Sequence, residues 1–194
     1  MHIYNKAKFL ISAAELKQLP EDVGVEVAFA GRSNAGKSTL LNALTNNKRL
    51  AKTSKTPGRT QLINLFALDD IETHNKKLVD LPGFGYAKVS RTVKARWQRT
   101  LYSYLETREC LKCVVLLMDI RHPLKPEDMM VITWANKAMM PLHLVLTKAD
   151  KLSRQQQIRS LSLVKSKLKQ EGLEDKFSMQ VFSSEKKIGL DELK

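Results

Sequence analysis

No apolar run in the chain approaches the roughly 18 residues that a membrane span requires, so none of its segments is expected to cross a bilayer. The sequence has only two cysteines in 194 residues, Cys110 and Cys113. This lone CxxC has no second ligand pair, which argues against a zinc or redox site. It adjoins the apolar run 114–118, so reduced thiols at the start of a buried strand are expected. The N-terminal Lys6 and Lys8 with FLISAA give a faint look of an export signal, but the stretch is short and Glu15 closes it. A cytoplasmic protein without stable membrane association is the expectation. Internal repeats, linkers and low-complexity tracts are also missing, and 194 residues with 43% apolar content suit one domain with one sizeable core. Acid is scarce as well: 33 Lys and Arg stand against 20 Asp and Glu, a formal charge of +13.

Apolar runs of strand character recur at 25–30, 62–68, 78–81, 114–118, 142–146 and 179–182, and segments of helical spacing lie at 93–105, 129–139 and 158–168. Such alternation predicts an α/β fold: a mostly parallel, doubly wound, six-stranded sheet covered on both faces. Asp69, Asp70 and Asn75 signal a hairpin between two neighbouring strands, so one antiparallel edge strand is expected. Residues 1–22 read as an extension packing on a domain that spans 23–194. The chain ends at Glu192, Leu193 and Lys194, a turn or two into a last helix, and a fuller helix is the expected continuation.

The first chemical motif is GRSNAGKS, residues 31–38, directly after the run Val25, Val27, Ala28, Phe29, Ala30 and before the helical pattern Leu40, Leu41, Ala43, Leu44. It fits GxxxxGKS. Gly31 and Gly36 let the backbone turn tightly around an anion, Lys37 adds a point charge at the β/γ-phosphates, and the Ser38 hydroxyl suits Mg²⁺. A second element, Asp80, Leu81, Pro82, Gly83, follows a buried strand. Asp80 can hold Mg²⁺ through water and the Gly83 N–H can meet a γ-phosphate. A third, Thr147, Lys148, Ala149, Asp150, follows another buried strand. Asp150 can accept from N1–H and N2–H₂ of guanine, whereas adenine offers an acceptor at N1 and no amine at C2. The Lys148 stem can lie over the base. Phe182, Ser183 and Ser184 end a last strand, where a backbone N–H can meet the guanine O6. TKAD argues against a P-loop kinase or ATPase.

Between the first two motifs, KTSKTPGRTQ offers Thr53, Thr56 and Thr60 as the threonine that completes the Mg²⁺ shell with the γ-phosphate. Thr60, just before the run 62–68, is the choice. GRSNAGKS, TPGRTQ, DLPGFGYA, TKAD and FSS, in this order and spacing, resemble the EngB family of bacterial ribosome-assembly GTPases, from KFLISA to FSS. The resemblance implies a single P-loop GTPase domain that binds GTP and GDP and hydrolyses GTP with Mg²⁺, with Ser38 and Thr60 as metal ligands. It also implies a role in maturing the large ribosomal subunit and a link to cell division. Nucleotide contacts are then expected from Gly31, Arg32, Ser33, Asn34, Ala35, Gly36, Lys37, Ser38 and Thr39, and from Gly58, Arg59, Thr60 and Gln61. Asp80, Leu81, Pro82 and Gly83 join them, as do Thr147, Lys148, Ala149, Asp150, Phe182, Ser183 and Ser184. Lys37, Thr60 and Gly83 carry the catalytic roles.

Phe84 stands where many small GTPases have the Gln that orients the attacking water, and a phenyl ring cannot hold that water. Slow intrinsic hydrolysis is expected. Asn34 has two readings: a loop residue that caps the turn, or, as in related GTPases, a helper in binding a K⁺ that supplies arginine-finger-like charge. Activation by K⁺, by an RNA particle, or by both is the hypothesis.

The basic residues cluster. Residues 48–60 contain Lys48, Arg49, Lys52, Lys55 and Arg59; 86–99 contain Lys88, Arg91, Lys94, Arg96 and Arg99; 151–170 contain Lys151, Arg154, Arg159, Lys165, Lys167 and Lys169. None of the three windows contains an acid. Two coincide with segments expected to rearrange with the γ-phosphate, so a surface for the large ribosomal subunit or its rRNA would be gated by nucleotide. Tyr86 and Trp97 could stack on unpaired bases, with core packing as the other reading for Trp97. The reading is a monomeric GTPase switch on a pre-ribosomal particle. Its alternative is a GTP-gated adaptor in cell division and septation with incidental hydrolysis.

Overall fold

The computed structural model of the chain describes residues 3–52, 62–68, 75–84, 91–173 and 176–194, with the side chains of 91–98 excepted. Seven strands form one sheet in the order β1-β3-β4-β2-β5-β6-β7. They are β1 (Lys8–Ala13), β2 (Val25–Gly31), β3 (Ile63–Ala67), β4 (Lys76–Asp80), β5 (Leu111–Asp119), β6 (Leu142–Thr147) and β7 (Ser178–Val181). From β4 to β7 all pairings are parallel, while β3 runs antiparallel to both β4 and β1. The α/β class and the mostly parallel sheet are as expected. The sheet has seven strands rather than six because β1 adds one outside β3, which puts the single reversed strand one place in from the edge. KFLISA hid this strand: it is short, largely exposed, and broken by an irregularity between Phe9 and Ile11.

The central strands are near-continuous apolar runs because both of their faces are covered. Along β2, Ala28 and Ala30 face one core while Phe29 faces the other, the alternation that a pleated strand imposes. On the first side lie Leu101, Tyr104 and Leu105 of α2 (Arg91–Thr107), Val131, Ile132 and Ala135 of α3 (Pro126–Lys137), and Val164 and Leu168 of α4 (Arg154–Gln170). On the second, Leu40, Leu41 and Leu44 of α1 (Lys37–Leu44) pack with Leu190 and Leu193 of α5 (Leu190–Leu193). Among the described residues no helix is long and apolar enough to cross a membrane.

At the N-terminal edge of the strands a charged cluster is buried. Glu26 on β2 is 0% exposed and Lys77 on β4 is 1% exposed. Glu26 accepts from the Tyr104 hydroxyl at 2.7 Å and from Arg108 Nη2 at 2.8 Å, with Lys77 Nζ at 3.5 Å. Arg108 also donates to the Pro20 carbonyl at 2.9 Å and Lys77 to that of Val23 at 2.7 Å, so the cluster staples the segment before β2 onto the sheet. Cys110 lies beside it; burial, together with Asp22 and Glu26, pushes its thiol up to about 12, which suits a packed, protonated side chain.

Candidate functional site

All four described motifs come to the carboxyl ends of parallel strands, where open α/β sheets bind their ligands. β2 ends at Gly31, the loop turns through Asn34 at φ 61° and Gly36 at φ 96°, and α1 begins at Lys37. Gly36 is the N-cap of α1 in a left-handed conformation that a side chain would strain. The backbone N–H groups at the start of α1 are thereby turned toward the loop, the arrangement that receives an anion.

The ammonium of Lys37 is buried under this loop, 3.3 Å from the Gly31 carbonyl that it donates to. Burial lowers its pKa and the nearby Asp80 carboxylate opposes that shift. Asp80, at the end of β4, is 3% exposed; burial raises its pKa against the pull of Lys37 and Ser38. Ser38 Oγ donates to Asp80 Oδ2 at 3.3 Å, and Asp80 Oδ1 is buried without a partner among the described residues. A buried carboxylate oxygen with no donor, beside a serine hydroxyl and at the foot of an anion-binding loop, fits a hard divalent cation such as Mg²⁺.

Gly83 closes the site from the β4 side. A Cβ there would lie 3.1 Å from Lys37 Nζ and 3.1 Å from Ser33 Cα, so any larger residue would press on the loop and its lysine. The neighbouring backbone fastens the two segments: Ser33 N donates to the Phe84 carbonyl at 2.8 Å and Phe84 N to that of Gly31 at 3.3 Å. The Phe84 ring itself is 4% exposed and belongs to the core, so its side chain faces away from any water in the site. Asn34 is exposed, and its left-handed φ is one that Asn tolerates.

The TKAD and FSS segments meet each other beside the anion loop. The Thr147 hydroxyl reaches back to the loop, 2.7 Å from the Ala35 carbonyl and 3.1 Å from that of Met118, so this residue ties β6 to the anion loop. Ala149 N donates to the Phe182 carbonyl at 3.1 Å. Asp150 Oδ1 accepts from Ser183 Oγ at 2.7 Å and Oδ2 meets Lys151 Nζ at 2.9 Å. These two partners hold the Asp150 carboxyl below the usual carboxylate range. Lys148, at φ 60°, sends its ammonium to Asp119 Oδ2 at 3.0 Å, and Arg121 clasps the same carboxylate at 2.6 Å. Burial would raise Asp119, but Arg121 and Lys148 drive it far below its ordinary value. Sequence reasoning missed Asp119; its signal was an acid at the carboxyl end of a central strand, on the edge where the motifs gather. Arg32, Leu81 and Pro82 line up with the motifs, while Thr39 and Ser184 border an open groove of about 680 Å³ between α1 and α5. Thr53, Thr56, Gly58, Arg59, Thr60, Gln61 and Tyr86 lie outside the described residues, as does the side chain of Trp97.

A family model described as 50S ribosome-binding GTPase matches residues 26–148. A probable GTP-binding protein EngB of Francisella philomiragia is 56% identical over 191 residues, spanning 98% of this chain and 95% of that relative. One of Haemophilus influenzae is 53% identical over 190 residues, spanning 98% and 90%. Among solved structures, a probable GTP-binding protein engB superposes with a TM-score of 0.63 at 23% identity, covering 87% of this chain and 94% of that one. Era in complex with MgGDPNP and nucleotides 1506–1542 of 16S ribosomal RNA superposes with a TM-score of 0.66 at 24% identity, over 88% of this chain and 55% of that one. At such identities the structural likeness speaks for the fold alone.

Proposed function

The chain belongs to the EngB family of GTP-binding proteins, and from that membership we propose a slow, Mg²⁺-dependent GTPase that acts as a nucleotide-gated switch in assembly of the large ribosomal subunit. The observation that carries the reading is the convergence at one strand edge of a buried Lys37, an orphan Asp80 oxygen beside Ser38, and an Asp150 pre-set by Ser183. The loop N–H groups from Gly31 to Thr39 and the Lys37 ammonium bind the phosphates, and Lys37 leaves the Gly31 carbonyl to do so. Ser38 and Thr60 would hold Mg²⁺ with Asp80 behind them through water; the ion neutralises charge building on the β- and γ-oxygens. Gly83 presents its N–H to the γ-phosphate. Asp150 reads guanine, Lys148 lies along the base, and the Ser183–Ser184 backbone meets O6.

Hydrolysis breaks the γ-phosphorus–oxygen bond to GDP with water as nucleophile, and no side chain at position 84 is available to orient that water. The charge that speeds the step comes from outside the loop, through K⁺ at Asn34 or through an RNA particle. In K⁺ buffer, hydrolysis should exceed that in Na⁺ buffer, and large-subunit particles should raise it further; equal rates in all conditions would remove this account. The family's description as 50S ribosome-binding GTPases and the basic windows 48–60, 86–99 and 151–170 support an RNA partner. Cosedimentation with large-subunit particles, stronger with a non-hydrolysable GTP analogue than with GDP, is the test. Particle binding that is absent, or indifferent to nucleotide, would favour the adaptor in cell division.

Asp119 acts through Lys148. Asp119→Asn should weaken GTP and GDP equally, by roughly tenfold, since a charge-assisted contact is worth about 1.5 kcal/mol. Isothermal titration with both nucleotides checks this, and a loss confined to GTP would place Asp119 at the γ-phosphate instead.

A further inference from the structure

Asp128 is a buried acid that the nucleotide chemistry above leaves unused. It is the third residue of α3 and 1% exposed, and its Oδ2 caps the helix by accepting from Lys125 N at 2.9 Å. Its other oxygen, Oδ1, is buried with no partner among the described residues. An unmet buried acceptor costs stability, so it calls for a reason. Arg32 of the anion loop carries the matching deficit: its Nε is also buried without a partner among the described residues, and its guanidinium lies close enough to draw the Asp128 carboxyl down. An unpaired donor and an unpaired acceptor of opposite charge are thus neighbours where α3 meets the loop.

The backbone of Arg32 stands at a junction. It bridges to Phe84, just after DLPG, while Ser33 N donates to the Phe84 carbonyl at 2.8 Å and Phe84 N to that of Gly31 at 3.3 Å. A guanidinium held from α3 therefore holds both the loop that takes the phosphates and the segment that carries Gly83. The anchor itself is firm: Val131, Ile132 and Ala135 of α3 pack in the same core as Ala30 and Phe84. On the loop side, Lys37 Nζ donates to the Gly31 carbonyl, one residue before Arg32. When that ammonium turns to a phosphate, the restraint on Gly31 ends and Arg32 can settle on Asp128. The charge state of the acid decides whether it does. Burial brings the Asp128 carboxyl up to about 6, against the Lys125 N–H and the Arg32 charge, with Glu127 adding to the rise and the Lys125 ammonium opposing it. Above that pH the group is an anion for the guanidinium; below it, protonation removes most of the attraction.

We propose that Asp128 is a positioning residue for nucleotide binding: with phosphates in the loop, its carboxylate takes the Arg32 guanidinium and locks the anion loop and the Phe84 segment onto α3. This rests on the guanine-nucleotide reading above. The test is isothermal titration of the full chain with GDP and with a non-hydrolysable GTP analogue, for wild type, Asp128→Asn, Arg32→Gln and the double variant. Asparagine keeps an acceptor for Lys125 N, and Arg32→Gln leaves the helix cap untouched, so both single variants should melt close to wild type. At about pH 8 each single variant should bind both nucleotides about tenfold more weakly, and the double variant no more weakly than either, because one interaction is lost in all three. The advantage of wild type over Asp128→Asn should shrink to about threefold by about pH 5.5, where most of the free Asp128 is protonated. Titration of the nucleotide's own phosphates is common to both proteins and cancels in that ratio. Losses that add in the double variant, a ratio constant with pH, or a lower melting temperature with affinity intact would each overturn the proposal. Wild-type protein that binds neither nucleotide would remove the functional reading, and the proposal with it.

Discussion

Asp150→Asn should lower affinity for GTP by about a hundred- to ten-thousand-fold and turn the preference toward xanthosine triphosphate. The wild-type carboxylate has two acceptor oxygens for two guanine donors, N1–H and N2–H₂. Asparagine keeps one acceptor and brings a donor, so N2–H₂ faces an NH₂ group and loses its bond. The lost bond to a charged group is worth about 1.5–3 kcal/mol, and two NH₂ groups left facing each other without an acceptor add about 1–3 kcal/mol, which together set the range. Xanthine carries an oxygen at C2 in place of the amine, and there the asparagine NH₂ finds an acceptor. Ser183 sharpens the effect: its hydroxyl already donates to Asp150 Oδ1 at 2.7 Å, which orients the carboxylate before any base arrives. Lys151 must leave Oδ2 for guanine to enter, and as a half-exposed side chain it does so at small cost. Competition between GTP and XTP for a fluorescent nucleotide reads the inversion directly. An unchanged order of preference would mean that TKAD does not read the base.

The motifs were legible because each is contiguous and its chemistry belongs largely to backbone. GRSNAGKS can turn only one way between a strand and a helix, and TKAD and FSS each follow a run of buried residues that ends at the same sheet edge. What escaped was long-range pairing. Thr147 looked like part of a base-recognition motif, yet its hydroxyl is committed to Ala35, 112 positions earlier. Phe84 looked like a missing catalytic group; the fold uses its ring as core and its backbone as the clasp on Ser33. Nothing near Asp119 in sequence announces Lys148, because their meeting depends on β5 and β6 being neighbours. β1 was missed for the opposite reason: an edge strand with little burial has almost no pattern to read.

Glu26 was also invisible, since an acid inside a strand pattern reads as a solvent-facing position, and replacing it should have the largest effect on stability. Glu26→Ala is expected to destabilise the fold by about 3–5 kcal/mol, because it strips the buried Lys77 of its acid and leaves Arg108 with Asp22, at 3.5 Å, and backbone carbonyls. Lys77, 1% exposed, would keep only the Val23 carbonyl, and Tyr104 and Arg108 would lose their common acceptor. Glu26→Gln retains an acceptor and should fall between the two. Burial alone would raise the Glu26 pKa, yet Arg108 and Tyr104 bring it below its ordinary value. The ionised form therefore stabilises the fold fully above the unfolded pKa of about 4.3, and that contribution is lost as pH falls through the lower folded value. Urea melts of wild type and Glu26→Gln should accordingly differ at pH 7 and converge in acid; a gap that is constant with pH would show that shape, not charge, is what Glu26 supplies. The cluster sits at the start of β2 while the nucleotide site begins at its end, so nucleotide affinity of either variant, measured where it is folded, should match wild type. If affinity fell while the fold held, the two edges of the sheet would be coupled, and α2, which follows the DLPG segment and is pinned by Tyr104 to this cluster, is the element that would carry the coupling.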